Sequence, residues 1–335
     1  MFCHIVCDVI GERKINNNYK RLILTIFITV GSLVILIVSV SFINHQIQLS
    51  KENELFVPSG KLVEVNDHQM HVYSEGNGKE TLVFMSGGGT SAPVLDFKSL
   101  FSLLSDQYKI VVVEKSGYGF SDITNNERDI DTILAETREA LKKSEISGPY
   151  ILLPHSMSGI EALRWEQMYP DEVRAIIGLD MAVPKAYEAM DINMSLVHLG
   201  SLGAKTGLIR WIPSLAENDA IKYGNLTDDE KELYKIIFYR RTMTKNMVNE
   251  IKYIQANAQM VKKDGAPNVP MLLFSSNGEE TGFDANEWIN IQEDFVNKND
   301  HATLIKLDSS HYIHNINYER IAEDSIEFIE SINQK

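Results

Sequence analysis

From residue 81 onward the chain keeps returning to short runs that are apolar at nearly every position. They are Thr81–Met85, Ile110–Val113, Tyr150–Leu153, Val173–Leu179, Met271–Phe274 and Thr303–Leu307. A strand with one wet face alternates apolar and polar residues. A run without that alternation suits a strand covered on both sides, as in a parallel sheet. Amphipathic stretches such as Ile130–Lys143, Met157–Met168 and Trp288–Val296 lie between the runs. Regular alternation of strand and helix predicts an α/β fold with a mostly parallel sheet and helices on both faces. Upstream, Lys61–Val65 and Met70–Ser74 alternate around Asn66-Asp67-His68, which predicts a hairpin.

One interval interrupts this rhythm. Pro184 to Pro267 contains no convincing strand, is rich in helix formers and carries Met190, Met194, Met243, Met247 and Met260. It is too long for an ordinary crossover. The expectation is a helical cap over about residues 185–267, inserted after the sixth strand, with its methionines serving mainly as core.

The N-terminus imposes a second constraint. From Leu22 to Ile43 no residue is charged, and about 20 apolar residues cross the hydrocarbon core as a helix. Arg13, Lys14, Lys20 and Arg21 precede the run, whereas only Lys51 follows it closely. The bias of basic residues towards the cytoplasm then predicts a single-pass protein of the cell membrane with its main domain outside. The domain reading is a cytoplasmic segment 1–21, a transmembrane helix 22–43, a polar stalk 44–57 and a globular domain 58–335. A cleavable signal peptide is the competing reading, because Ser39-Val40-Ser41 resembles a small-x-small cleavage site. The long leader and the long apolar stretch favour the uncleaved anchor.

The formal net charge of −14 argues against nucleic acid as a partner, since binding phosphates requires clustered Lys and Arg. Both cysteines, Cys3 and Cys7, fall in the first seven residues. The domain beyond them therefore has no Cys nucleophile, disulfide or Cys-based metal site. A metal site at Asp308, His311 and His314 is disfavoured as well, because the two His lie three apart on a short loop with no evident further ligand. No metal and no cofactor is expected.

Chemistry concentrates at the strand ends. Pro154-His155-Ser156-Met157-Ser158-Gly159 follows an apolar strand and opens an amphipathic helix, the setting of a nucleophile elbow. Compared with Gly-x-Ser-x-Gly, Pro154 replaces the first glycine and Ser158 the second. Met85-Ser86-Gly87-Gly88-Gly89 ends the third strand, and Glu114-Lys115-Ser116-Gly117-Tyr118-Gly119-Phe120-Ser121 follows the fourth. Asp308-Ser309-Ser310-His311-Tyr312-Ile313-His314 follows the last. Together, in this order, the four motifs resemble the α/β-hydrolase superfamily over roughly residues 58–335. The resemblance implies Ser156 as nucleophile and His311 as its base. It also implies the backbone N–H groups of Gly88 and Met157 as the oxyanion hole.

Two sites compete for the acid that would orient His311. The usual family position follows the seventh strand, where Glu280 stands in Asn277-Gly278-Glu279-Glu280-Thr281. The other is the end of the sixth strand, Asp180 in Leu179-Asp180-Met181-Ala182-Val183-Pro184. Some relatives, including a group of haloalkane dehalogenases, carry their acid at that second position. A carboxylate ending so apolar a strand needs a partner, and Asp180 is preferred. The expected function is hydrolysis of an ester, amide or related acyl bond in a small-molecule or peptide substrate, through an acyl-serine intermediate. The alternative is a non-catalytic binding or sensor module on the same fold, because fold alone does not guarantee activity.

Overall fold

The computed structural model describes residues 17–188, 190–265 and 267–334. Cys3, Cys7, Arg13, Lys14 and most of the N-terminal segment 1–21 lie outside the described residues. The strands are β1 (Lys61–Val65), β2 (His68–Glu75), β3 (Thr81–Met85), β4 (Lys109–Val113), β5 (Tyr150–Pro154), β6 (Val173–Leu179), β7 (Met271–Ser275) and β8 (Ala302–Lys306). They form one eight-stranded sheet in the order β1-β2-β4-β3-β5-β6-β7-β8. The β1–β2 and β2–β4 pairs are antiparallel, and all the others are parallel. Asn66 and Asp67 take positive φ of 48° and 63°, the geometry of a tight hairpin turn.

The helices are α1 (Asn17–Lys51), α2 (Pro93–Phe101), α3 (Ile130–Lys143), α4 (Ser158–Met168), α5 (Met194–Lys205), α6 (Asp219–Lys222), α7 (Asp228–Arg241), α8 (Lys245–Asp264), α9 (Ala285–Val296), α10 (Ile313–Ile316) and α11 (Tyr318–Asn333). Local chemistry starts several of them. Asp129 caps α3 by accepting from the Thr132 N–H at 3.0 Å, and Thr227 and Glu230 form a capping box on α7. Asp284 caps α9.

Successive strand residues enter opposite cores, which explains the continuous apolar runs. Val83, Val111, Leu152, Ile176 and Leu273 pack with Leu134, Leu141, Ile160, Leu163 and Trp288. Their neighbours Leu82, Phe84, Ile110, Val112, Ile151, Ile177 and Phe274 pack with Phe97, Phe101, Ile321 and Ile329. Among the described residues no strand lies between β6 and β7. That interval, here called the cap, holds short 3-10 turns and α5 to α8.

One helix among the described residues, the N-terminal one, is long and apolar enough to cross a membrane. It differs from the expectation in extent. The uncharged run 22–43 sits inside α1, and residues 44–51, read from their polarity as stalk, continue the same helix. His45 in this stretch, and Glu52 just beyond it, find a partner in the cap. Arg210 donates to both Glu52 carboxylate oxygens, at 2.7 and 2.8 Å, and to His45 Nδ1 at 2.9 Å.

Candidate active site

Strand β5 delivers the elbow. Pro154 pairs in register with Met85, and the next residue, His155, donates its N–H to the Met85 carbonyl at 3.0 Å. Consecutive N–H groups point to opposite sides of a strand, so the N–H that proline lacks is not one that would bind β3. Ser156 then takes φ +53°, a conformation an ordinary residue adopts only when its surroundings hold it. The Ser156 carbonyl accepts from the Ala182 N–H at 2.8 Å, and the Ser158 hydroxyl lies 2.7 and 2.8 Å from the Met85 and His155 carbonyls. At Gly159 an added Cβ would fall 2.2 Å from the Ala182 carbonyl oxygen. The close approach usually made at the second glycine therefore occurs one place later, and a small hydrogen-bonding serine is accommodated at 158.

Asp180 ends β6 at φ +46° and is fully buried. Its Oδ1 accepts from the Ser276 N–H and from Trp288 Nε1, both at 2.8 Å, and its Oδ2 from His311 Nδ1 at 2.6 Å. His311 is fastened in the loop after β8 by its N–H to the Glu279 carbonyl, at 3.0 Å. With Nδ1–H committed to the carboxylate, Nε2 is left as the acceptor. It stands 2.7 Å from the Ser156 oxygen. The structure thus brings Ser156, His311 and Asp180 together. Glu280 does not join them: it is exposed, at φ +64° in the loop after β7.

Gly88 lies against the Met157 side chain, where a Cβ would fall 2.9 Å from Cε. Neither the Gly88 nor the Met157 N–H makes a backbone hydrogen bond among the described residues. Both residues line a cleft of about 690 Å³ with Ser156 and His311, roofed by Met190, Ile192, Met243, Met247 and Ile251. Of the cap methionines, Met190, Met243 and Met247 face this cleft, whereas Met260 is an exposed surface residue. No group of His, Cys, Asp and Glu suited to a metal ion occurs among the described residues.

Two further sets of polar residues surround the site. His155 donates from Nε2 to the His311 carbonyl at 3.2 Å. Burial, with His314 and His311 nearby, holds His155 well below the usual imidazole range. His314 donates to Asp96 at 2.9 Å, and Asp96 also accepts from the Tyr234 hydroxyl at 3.2 Å. The other set is a buried charge network. Lys115 binds Glu161 at 2.7 Å and Glu250 at 3.1 Å, and Arg128 binds Glu136 at 2.6 Å and Glu250 at 3.3 Å. Tyr118 donates to Glu250 at 2.6 Å, and its oxygen accepts from the Gly89 N–H, next to Gly88, at 3.4 Å. Sequence reading missed this network and the contact from Trp288. Their members are far apart in sequence, and no local spacing marks them.

This fold, with a serine, an imidazole and a carboxylate in line at the strand ends, is the α/β-hydrolase fold. A structure of a putative lipase from Acinetobacter baumannii AYE superposes with a TM-score of 0.63 at 13% identity, covering 87% of this chain and 97% of that one. The chain belongs to the same family as the uncharacterized protein YbdG of Bacillus subtilis (strain 168), with which it is 36% identical over 314 residues, 92% of this chain and 97% of that protein. It is also 27% identical over 139 residues to the 2-(acetamidomethylene)succinate hydrolase of Mesorhizobium japonicum, covering 42% of this chain and 49% of that enzyme. Comparison with protein-family models gives no match.

Proposed function

We propose that this chain is a serine hydrolase of acyl bonds, held at the cell membrane by α1 with its globular domain outside. The observation that carries the catalytic reading is the unbroken hydrogen-bonded line from Ser156 through His311 to Asp180. The likeness to a named hydrolase supports it. As the Ser156 oxygen attacks the substrate carbonyl, its proton passes to His311 Nε2. Asp180 holds the productive tautomer and stabilises the imidazolium. Negative charge gathers on the former carbonyl oxygen, and the Gly88 and Met157 N–H groups are the donors assigned to receive it. Collapse of the intermediate expels the alcohol or amine, which takes the proton from His311 and leaves acyl-Ser156. Water repeats the cycle, with His311 again as base, and releases the acid.

A fluorophosphonate probe tests this reading. The wild type should be labelled on Ser156 and should hydrolyse p-nitrophenyl esters, and Ser156→Ala should do neither while staying folded. A folded wild type that neither labels nor hydrolyses would instead favour a non-catalytic binding module. For the membrane reading, protease added to intact cells should release a fragment of roughly residues 50–335. Survival of that fragment until lysis would reverse the orientation.

A further inference from the structure

We infer that the side of the cap next to α1 is a membrane-interfacial surface, and that the catalytic cleft takes acyl amphiphiles resident in the bilayer. This rests on α1 being an anchor and deepens the hydrolase reading by naming the source of substrate. The first observation is where the cap meets α1. Ser41 lies inside the uncharged run, yet it is fully buried against the cap and its hydroxyl accepts from Trp211 Nε1 at 3.0 Å. His45, one turn on, is also buried, against Gly207, where an added Cβ would come within 2.4 Å of the His45 Cβ. A helix rises about 1.5 Å per residue. Trp211 is thereby tied to a level just inside the end of the apolar run at Ile43, the depth at which Trp is enriched in membrane proteins.

The second observation is what surrounds that tie. Trp211, Ile212 and Leu215 are 62%, 53% and 48% exposed, and Leu196, Leu199 and Leu202 on α5 are 64%, 63% and 54% exposed. Large apolar groups gathered in this way rarely face water without a partner. The third is charge. In a chain with 46 acidic residues, none occurs between Asp191 and Glu217, and the only Lys and Arg there are Lys205 and Arg210. The far cap helix α7, by contrast, opens Asp228-Asp229-Glu230. Arg210 is neutralised by Glu52, so the patch adds no carboxylate of its own and keeps one exposed cation, Lys205, which suits the phosphates of a lipid leaflet. The fourth is a cavity of about 550 Å³ between α1 and the cap, whose walls include Phe42, Leu49, Tyr239 and Met243. Met243 also lines the catalytic cleft, so one flexible side chain borders both spaces.

The test uses the full chain in phosphatidylcholine–phosphatidylglycerol vesicles. Of three tryptophans, Trp165 and Trp288 are buried and Trp211 is exposed, so Trp211 dominates contact quenching. Brominated acyl chains should quench wild-type fluorescence and leave Trp211→Phe unaffected. Quenching by aqueous acrylamide instead would overturn the inference. So would shielding that appears only with a crosslinked dimer, which would make the patch a self-contact. Leu199→Glu combined with Leu202→Glu should lower hydrolysis of a long-chain ester embedded in the vesicles about tenfold, the factor carried by ~1.4 kcal/mol. Turnover of a soluble short-chain ester should be unchanged, and an equal loss on both esters would count against the inference. Carbonate-resistant flotation with the vesicles reports on the anchor separately, and hydrolysis of the soluble ester reports on the catalytic reading.

Discussion

Asp180 accepts three hydrogen bonds from three separate segments, and only one of them comes from His311. Asp180→Asn removes the negative charge and lets Nδ1 of His311 become an acceptor, which turns the proton to Nε2, where Ser156 needs a base. Turnover should fall by ~10⁴, the size of the equivalent change in a serine protease, while Glu280→Gln should stay close to wild type. Initial-rate measurements on a soluble ester decide it, and the opposite ranking would move the acid to the loop after β7. His155 makes a pH prediction. Its pKa is depressed in the folded state by burial and by the imidazoles of His314 and His311, so below about 6.5 the unfolded chain binds a proton that the folded chain does not. This histidine therefore costs no stability above about pH 6.5. As pH falls below that value, it removes up to ~1.4 kcal/mol per pH unit. Urea midpoints from pH 7.5 to 5 should fall more steeply in the wild type than in His155→Gln.

At the scale of elements, the site is a junction of strand ends held by close approaches. Gly119 shows one: at φ +46° a Cβ would sit 1.9 Å from the Glu114 carboxylate, which accepts from the Phe120 N–H at 2.7 Å and pairs with His71 at 2.9 Å. Gly159 shows the other, where α4 passes over the connection that follows Asp180. Gly159→Ala must force that connection and the elbow apart, against the bond from the Ala182 N–H to the Ser156 carbonyl. The expected cost is about 1–3 kcal/mol by denaturant unfolding, together with a drop in kcat as Ser156 moves relative to His311. Gly89→Ala offers the contrast in space: nothing lies within 4 Å of its Cβ position, so only its φ of +80° opposes the change.

Across the whole molecule, buried charge joins the cap to the body. Lys115 follows β4, Glu161 belongs to α4 just after the elbow, and Glu250 belongs to the cap helix α8. Burial pushes the Glu161 carboxyl up, against the pull of Lys115. Burial alone would lower Lys115, but Glu161 and Glu250 outweigh it and raise it. Lys115→Met leaves two carboxylates facing each other out of water and should cost ~3–5 kcal/mol. Adding Glu161→Gln should recover part of that loss in urea unfolding. The contact between α1 and the cap is a looser coupling. Arg210→Ala removes its two bonds to Glu52 and its bond to His45. Amide exchange over residues 44–54 should then quicken, with the rest of the globular domain unaffected.

The layered α/β architecture was legible in the sequence because it is written in short-range pattern. Strands covered on both faces need unbroken apolar runs, and a break in the strand–helix rhythm marks an insertion. The elbow around Ser156, the glycines after β3 and the placement of His311 after the last strand were legible for the same reason, since each is a compact motif at a strand end. Between Asp180 and Glu280 the sequence supported only a preference for Asp180, because each follows an apolar strand and only the sheet order sets β6 and β7 side by side with His311 over one of them. Nor could local pattern show that residues 44–51 stay helical, because their polarity reads as stalk, and the Arg210 that meets His45 lies far along the chain. The same holds for the charge network linking Lys115, Arg128, Glu136, Glu161 and Glu250. A buried ion is tolerated only where its counter-ion arrives in three dimensions, and that meeting is decided by the tertiary structure alone.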